Sequence, residues 1–346
     1  MKAATHILGI DIAKRNFEVN LRTLDPQDPA QARQATSFSN NRKGFQALQR
    51  WLEQRGIKQA ALLHACLEST SRYGDALGQW LYSQGHQLSM VNPRRTHHYA
   101  QQRLARTIND RIDAALIADF CAEHRANLIL WEPLPGPHRQ LQDLTRARQA
   151  LVEHRDALGN CLETATGLAR TAFVRQRANL DREIQRLERA IKELLEQPQS
   201  LQLKSQIALA DSVPGVGLVT AATVVAELPP LDKLSHSNQA AALLGLDPKS
   251  KTSGETVKTA SRLSKMGSKR GRRALYMPAL VALRCNPVVR SLGQRLSQRG
   301  RSGKYIVVAA MRRLLRLIFG VIKSAQPFDP NWSQRHAQRL KQPLGK

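Results

Sequence analysis

Leu8-Gly9-Ile10-Asp11-Ile12 lies near the start of this 346-residue chain, inside an apolar run over residues 6–12 that predicts a buried β-strand. An aspartate within such a run is costly to bury unless it is paired, hydrogen-bonded or bound to a metal ion. Asp11 is therefore the first candidate for a residue that carries chemistry.

The elements that follow indicate a layered α/β domain. Residues 17–24 and 34–38 predict two more strands, and residues 43–55 predict an amphipathic helix. A buried strand, a helix, a fifth strand and a further helix are predicted at residues 60–67, 71–84, 88–91 and 111–126. Strands first, then alternating helix and strand, give a domain of about 130 residues. We place it at residues 1–132, before the helix-breaking residues Pro133, Pro135, Gly136 and Pro137.

Two long helices and a mainly helical domain are predicted downstream. Leucine and isoleucine recur at heptad spacing over residues 141–158 and again over residues 180–194, with a break near residues 171–179. This spacing favours an antiparallel coiled-coil linker at residues 138–200, with an ordinary helical bundle as the alternative. We assign residues 205–330 to a C-terminal domain whose last strong helix covers residues 305–323.

The charge of the chain predicts a polyanionic partner. The formal net charge is +26, the pI is near 10.9, and the only acidic residue beyond Thr256 is Asp329. Such an excess attracts nucleic acid by counterion release, independently of base sequence. Aromatic residues make up only 5% of the chain, which argues against extensive base stacking. A ribosome-associated or nonspecifically adhesive basic protein is the alternative.

Cysteine usage and hydropathy indicate a cytoplasmic protein with no membrane partner. The four cysteines form no CxxC pair, so neither a zinc site nor a disulfide framework is expected and a reducing cytosol fits. Residues 1–14 lack the apolar stretch of a signal peptide, and no apolar run approaches the roughly 20 residues that span a bilayer.

Four carboxylates stand where a metal site would need them. Asp11 and Glu68 end two predicted central strands, and Asp110 and Asp113 are three residues apart at the start of a helix, on one face. Converging carboxylate oxygens suit Mg²⁺, which can activate a nucleophile and stabilise a leaving oxygen on phosphate. This is the arrangement of RNase H-like nucleases of the RuvC type. Taken alone, Asp110 is equally well explained as a helix N-cap.

The C-terminal half contains three further candidates. Gly215 and Gly217 form a GxG turn before an apolar helix, which resembles a phosphate-binding helix-hairpin-helix element; a tight interhelical turn is the alternative. Ser253, in a polar Ser-Gly loop, has a hydroxyl suited to attack on a phosphodiester, although Ser-Gly is also a common turn. A basic run, with Lys14 near the first strand, supplies candidate phosphate contacts or a solvated face: Arg262, Lys265, Lys269, Arg270, Arg272 and Arg273.

Together these motifs resemble the DEDD transposases of bacterial insertion sequences, which are relatives of the pilin-gene invertases and are described as bridge-RNA-guided recombinases. The resemblance covers nearly the whole chain. It rests on Gly9-Ile10-Asp11, Leu67-Glu68-Ser69-Thr70, Asn109-Asp110-Arg111-Ile112-Asp113, Pro214-Gly215-Val216-Gly217, and the loop from Pro248 to Gly254 followed by Lys265-Met266-Gly267.

The resemblance implies a RuvC-like N-terminal domain, a coiled-coil linker and a C-terminal transposase domain. It implies that Asp11, Glu68, Asp110 and Asp113 bind Mg²⁺, and that Ser253 forms a covalent phosphoserine with DNA; Ser250 remains an alternative nucleophile. It also implies dimers or tetramers with a composite active site, and a non-coding RNA that pairs with donor and target DNA.

Three functions remain open at this point. The first is a Mg²⁺-dependent serine recombinase that excises and inserts a mobile element. The second is a RuvC-like nuclease that hydrolyses junctions without a covalent step and has no use for Ser253. The third is a non-catalytic nucleic-acid-binding protein, which would tolerate Asp11→Asn. The target and donor sequences, the guide RNA, the oligomer number and helper proteins do not follow from the sequence.

Overall fold

The computed structural model describes residues 4–24, 34–58, 62–68, 72–103, 110–253 and 257–331. The chain divides into two compact units, Met1–Pro133 and Leu134–Lys346. The first unit combines a mixed β-sheet with helices, and the second is mostly helical. This is the coarse architecture that the sequence predicts.

Unit one alternates strands and helices. Its elements within the described residues are β1 (His6–Ile12), β2 (Asn16–Thr23), β3 (Gln34–Ser39), α1 (Arg42–Glu53), β4 (Leu63–Glu68), α2 (Asp75–Ser83), β5 (Gln87–Val91), α3 (Pro93–Gln102) and α4 (Asp110–His124).

The sheet of unit one has the strand order β3-β2-β1-β4-β5, with β2 antiparallel to β1 and β3, and β1, β4 and β5 parallel. Both of its faces are covered. Leu8 and Ile10 pack with residues of α1 and α2, whereas Ile7 packs with residues of α3 and α4. Because successive side chains of a strand point to opposite faces, Asp11 lies on the same face as Ile7, toward α4.

Helix α3 was not predicted from the sequence. Only Thr96 and Tyr99 are buried in it, so the helix has no apolar periodicity to recognise. Its start signal is nevertheless present. The Asn92 side chain accepts a hydrogen bond from the backbone N–H of Arg94, and Pro93 occupies the first turn.

Unit two consists of helices and one β-hairpin. Its described elements are α5 (Gly136–Thr164), α6 (Gly167–Glu196), α7 (Leu201–Asp211), α8 (Leu218–Glu227), α9 (Ser237–Leu243), β6 (Pro248–Ser253), β7 (Val257–Leu263), α10 (Lys269–Ala274), α11 (Tyr276–Cys285), α12 (Pro287–Gln298) and α13 (Gly303–Ser324). Its core is one apolar cluster that includes residues from α7, α8, α11 and α13.

Helices α5 and α6 form an antiparallel pair. Arg148 Nη2 lies 2.7 Å from Glu188 Oε1, and Arg155 Nη1 lies 3.6 Å from Asp181 Oδ1. The two pairs run in opposite chain directions, as antiparallel packing requires. The expected break near residues 171–179 is wrong, because α6 is continuous there and the chain turns at residues 165–166 instead. Polar residues interrupt the heptad pattern in that segment without interrupting the helix.

The polar loop expected around Ser253 is a β-hairpin. Strands β6 and β7 pair antiparallel, and Ser253, the last residue of β6, is opposite Val257. A register shift lies between Lys249 and Lys251, at Ser250. The strands carry too few apolar residues for a period-2 pattern, which is why the sequence reads as a loop.

Candidate active site

Gly9 allows helix α4 to lie directly against strand β1. A Cβ atom at Gly9 would stand 2.2 Å from the Ala114 carbonyl oxygen and 2.4 Å from the Ala118 nitrogen, so any side chain here would push α4 away. The glycine thus brings the start of α4 close to Asp11, two residues further along β1.

Two ion pairs further fix α4. The carboxylate of Asp119, which is almost fully buried, accepts hydrogen bonds from Arg22 of β2 at 2.8 Å and from Arg103, just after α3, at 3.1 Å. Removing one partner of a buried, hydrogen-bonded ion pair is strongly destabilising, because the other charge stays buried. The orientation of α4 over the sheet, and hence of Asp113, depends on this contact.

Three of the four predicted carboxylates line one pocket of about 410 Å³: Asp11, Glu68 and Asp113. Ile10 and Leu67 are register partners in parallel strands, so Asp11 and Glu68 follow at the same level of β1 and β4. Asp110 begins α4, and its side chain lies outside the described atoms. The pocket therefore gathers acids from two central strands and one helix.

Helix α3 supplies polar residues to the same pocket that the sequence reasoning missed. Arg94, Thr96 and His97 line it alongside the carboxylates. The hydroxyl of Thr96 donates a hydrogen bond to Glu68 Oε1, and the Pro93 carbonyl oxygen lies 2.9 Å from the same hydroxyl. Thr96 thus restricts the orientation of Glu68. The Asn92-Pro93 start signal was the one sequence clue to these residues.

Glu18 is a further acid on this face of the sheet. It is the direct cross-strand partner of Asp11 in the β1–β2 pair, and its Oε2 is buried without a hydrogen-bond partner among the described residues. Like charges directly opposite each other on a sheet are destabilising, and a bound cation would relieve that repulsion. No local pattern points to Glu18, because its position beside Asp11 depends on strand register.

The donor set fits a hard divalent cation. Within the described residues, no three histidine, cysteine or acidic side chains are grouped closely enough to hold a metal ion by themselves. Mg²⁺ rarely needs such a cage, since it keeps several waters and is commonly bound through one or two carboxylates plus phosphate oxygens of the substrate. Asp11, Glu68 and Asp113 around one pocket match that mode of binding.

The glycine turn of unit two is rigid, and its two glycines have different roles. Gly215 has φ +96°, and a Cβ atom there would lie 2.8–2.9 Å from atoms of Ala282 in α11, so the turn packs tightly on α11. The buried Asn286 side chain donates to the Pro214 carbonyl oxygen at 3.2 Å. Gly217, the N-cap of α8, is exposed, with open space around its Cβ position.

The predicted basic residues differ in their partners. Lys14 lies exposed between β1 and β2, and Lys265, Lys269 and Arg270 are also exposed. Arg272 donates to the Leu244 carbonyl oxygen at 2.9 Å, and Arg273 lies 2.5 Å from Glu153 Oε1. Arg262 is in β7, and its side chain lies outside the described atoms, as does that of Ser253.

Glu227, another residue that sequence reasoning missed, connects α5 and α8 to the basic helix α10. Its carboxylate accepts hydrogen bonds from Arg146 Nε at 2.6 Å and from Ser268 Oγ at 2.7 Å, and Ser268 caps α10. Burial pushes the pKa of Glu227 up, but the hydrogen bonds from Arg146 and Ser268 outweigh it, so the pKa is lowered overall. The sequence offers no periodic signal for a contact that joins residues 81 positions apart.

Comparison with known proteins identifies both units. A profile described as a transposase, specific to DEDD transposases of the IS110 type, matches residues 8–167. A second profile, described as the transposase IS116/IS110/IS902 family, matches residues 207–294. The pilin gene-inverting proteins of Moraxella lacunata and Moraxella bovis are each 29% identical over 330 residues, which cover 93% of this chain and 97% of theirs.

A carboxylate-lined pocket on a mixed sheet, followed by a helical transposase domain, defines an enzyme that cleaves and rejoins DNA, a transposase or recombinase of the DEDD class. More narrowly, the chain carries two domains that match models of IS110-family transposases, which confirms the resemblance. DEDD transposases as a class depend on divalent metal ions. Within the described residues, no helix combines the length and apolar character needed to cross a bilayer.

Proposed function

We propose that this transposase is a Mg²⁺-dependent, site-specific recombinase that cleaves and rejoins DNA through a covalent phosphoserine at Ser253. The observation that carries the metal half of the proposal is the convergence of Asp11, Glu68 and Asp113 on one pocket. In this proposal Asp110 completes the metal site, and the N-terminal domain at residues 1–132 is RuvC-like, of the RNase H-like class. A mixed sheet with carboxylates at the ends of β1 and β4 supports that class.

The carboxylates hold the ion, and the neighbouring side chains organise the DNA. When bound, Mg²⁺ stabilises negative charge that develops on the phosphate oxygens. Thr96 keeps Glu68 oriented through its hydrogen bond, while Arg94, on the wall of the same pocket, offers a charge-assisted contact to a phosphate. Gly9 keeps α4 against the sheet, so that Asp113 stays on the wall of the same pocket.

The covalent step uses the serine hydroxyl as the nucleophile. Ser253 Oγ attacks the phosphorus of a phosphodiester, the Oγ–P bond forms, and the P–O bond to the leaving strand breaks. The serine loses its proton to a base, and the leaving oxygen takes up a proton. A strand hydroxyl from another DNA end then reverses these events and restores the serine. Ser253 is the last residue of β6.

The C-terminal domain, residues 205–330, grips the DNA backbone in this proposal. The exposed α8 N-terminus at Gly217, beyond the turn that Gly215 shapes, contacts a phosphate. Further phosphate contacts in this domain come from exposed Lys265, Lys269 and Arg270, together with Arg262, Arg272 and Arg273. In the N-terminal domain, exposed Lys14 adds another. The linker at residues 138–200, formed mainly by α5 and α6, serves as a coiled coil in dimers or tetramers. An element-encoded bridge RNA selects donor and target. The net charge of +26 supports a large nucleic-acid partner.

The covalent step is tested by trapping protein on radiolabelled DNA that carries the element's ends, with its flanking non-coding RNA and Mg²⁺. We expect an adduct that survives denaturing electrophoresis and disappears in Ser253→Ala and in Asp11→Asn. Ser250→Ala is the matched control, because Ser250 lies three residues away in the irregular part of β6, and it should keep the adduct. An adduct that persists in Ser253→Ala would refute the assignment, and cleavage without any adduct would favour a hydrolytic nuclease.

A further inference from the structure

Unit two contains a second pocket that the metal site and the glycine turn do not explain. It has a volume of about 550 Å³ and lies among the start of α9, helix α13 and the segment that follows α13. Val288, Leu317 and Phe328 contribute apolar walls, and the rim includes Ser237. The backbone N–H of Phe328 donates to Ser212 Oγ at 2.9 Å, so the aromatic wall is held in place. Pockets of 300–1,000 Å³ with apolar walls and a few polar groups bind small ligands.

Three arginines surround this pocket and an adjoining one. Arg313 and Arg316 line the first, and Arg313 and Arg295 line the second, which has a volume of about 600 Å³. Burial and the charges of Arg316 and Arg295 lower the pKa of Arg313. Three guanidinium groups this close repel one another, and an anion between them would remove the repulsion.

Both charges that lower the pKa of Arg313 belong to arginines. Asp329 lines the first pocket, and its carboxylate accepts the backbone N–H of Asn331. Arg312, next to Arg313, lies 3.2 Å from Asp247.

Gly320 keeps the pocket open from the helix side. It lies inside α13 and lines the pocket, yet a Cβ atom there would meet no other atom within 4 Å. Glycine is disfavoured in the interior of a helix. Because neither packing nor backbone conformation requires a glycine at this position, a side chain can be added there without displacing a neighbouring atom.

We propose that this pocket binds one unpaired nucleotide of a nucleic-acid strand. The base stacks against Phe328 between the apolar walls, and the flanking phosphates lie on Arg313, Arg316 and Arg295. The proposal rests on the recombinase function above and adds to it a specific contact for a base that has left its helix. Strand exchange between paired duplexes must expose such bases, and the pocket would hold one in place. The same chemistry occurs in RNA and in DNA.

The test measures binding of the full chain to duplexes by fluorescence anisotropy, with EDTA present so that no metal-dependent cleavage takes place. Each fully paired duplex is compared with one that carries a single extrahelical nucleotide. DNA and RNA versions of both show which nucleic acid the pocket prefers. We expect at least fivefold tighter binding of the bulged duplex in one of the two. An abasic bulge should lose that preference.

Gly320→Leu separates the pocket from general electrostatics, because it fills the space and leaves every charge in place. We expect it to abolish the preference for the bulge while affinity for the paired duplex stays within twofold. Gly159→Leu is the matched control, since Gly159 lies inside α5 with equally open surroundings, and it should keep the preference. Arg313→Gln should also abolish the preference.

Three results would overturn the proposal: no bulge preference in the native chain, a preference that survives Gly320→Leu, or equal binding of the abasic bulge. None of them affects the covalent adduct assay, so this proposal and the recombinase proposal fail independently.

Discussion

Asp11 and Glu18 are directly opposite each other in the antiparallel pair β1–β2, on the face of the sheet that α4 covers. A carboxylate pair of this kind adds negative potential at the proposed metal site. It also destabilises the protein when no cation is bound, by about 0.2–1 kcal/mol for like charges in such positions. The two effects have opposite signs and can be measured separately.

Glu18→Gln should weaken metal binding and stabilise the metal-free protein. We expect Mn²⁺ affinity, measured by calorimetry, to fall about two- to fivefold, the equivalent of about 0.4–1 kcal/mol. The free energy of unfolding in EDTA should rise by a similar amount. Glu53→Gln, in α1 on the other face of the sheet, is the control and should leave Mn²⁺ affinity unchanged. Unchanged affinity in Glu18→Gln would exclude Glu18 from the metal site.

Thr96→Val should impair the metal site while keeping the shape of the side chain. The variant loses the hydroxyl that donates to Glu68. Residues that orient a metal ligand in this way typically contribute about 10- to 100-fold to metal affinity or activity. We expect the Mn²⁺ concentration for half-maximal DNA cleavage to rise about tenfold. Thr96→Ser keeps the hydroxyl and should need the same Mn²⁺ concentration as the native protein. If Thr96→Ser and Thr96→Val need the same concentration, the hydrogen bond to Glu68 does not contribute to metal binding.

Gly217→Asp should separate helix stability from DNA binding. Aspartate at the N-cap of α8 stabilises the helix, since its carboxylate accepts the free N–H groups and interacts favourably with the helix dipole. The same charge would repel a phosphate at this position. We therefore expect unchanged or higher thermal stability and about tenfold weaker binding of duplex DNA at low salt. Gly217→Asn supplies the cap without the charge and should bind DNA like the native chain. Equal affinity in the Asp and Asn variants would place the phosphate elsewhere.

His64 should make the first unit sensitive to acid. Ser89 Oγ donates to the Ile129 carbonyl oxygen, so His64 Nε2–H donates to Ser89 Oγ at 2.9 Å, and Nδ1 is buried without a partner. Burial, with a smaller contribution from Arg125, lowers the pKa of His64 to about 4.

Because the folded pKa is below the unfolded value of about 6.5, the unfolded chain takes up a proton first as the pH falls. Stability contributed by the neutral imidazole is then lost progressively from about pH 6.5 toward pH 4, on the order of 2 kcal/mol between pH 7 and pH 5. Urea unfolding at the two pH values measures this loss. In His64→Gln the free energy of unfolding should differ less between pH 7 and pH 5. His98→Gln, on the exposed side of α3, should show the same difference as the native protein. The same pH dependence in native and His64→Gln protein would contradict the prediction.

The sequence alone predicted most of the elements and three of the pocket-lining carboxylates. Strands β1, β4 and β5 are apolar runs, and α13 has an apolar face at helical spacing, so local patterns were sufficient. Asp11 and Glu68 were recognisable because an acid at the end of a buried strand is costly unless it is paired, hydrogen-bonded or bound to a metal ion. The family resemblance rested on the same local motifs and was confirmed over both units.

Tertiary structure decided which residues meet. Thr96 contacts Glu68 across 28 residues of chain, and the register of two strands places Glu18 beside Asp11. Helix α3 and the β6–β7 hairpin contain too few apolar residues to show a period, so local sequence patterns did not predict them. The open space beside Gly320 also depends on how distant parts of the chain pack. Composition and periodicity report what each residue prefers, whereas a site depends on distances between residues that the chain brings together only on folding.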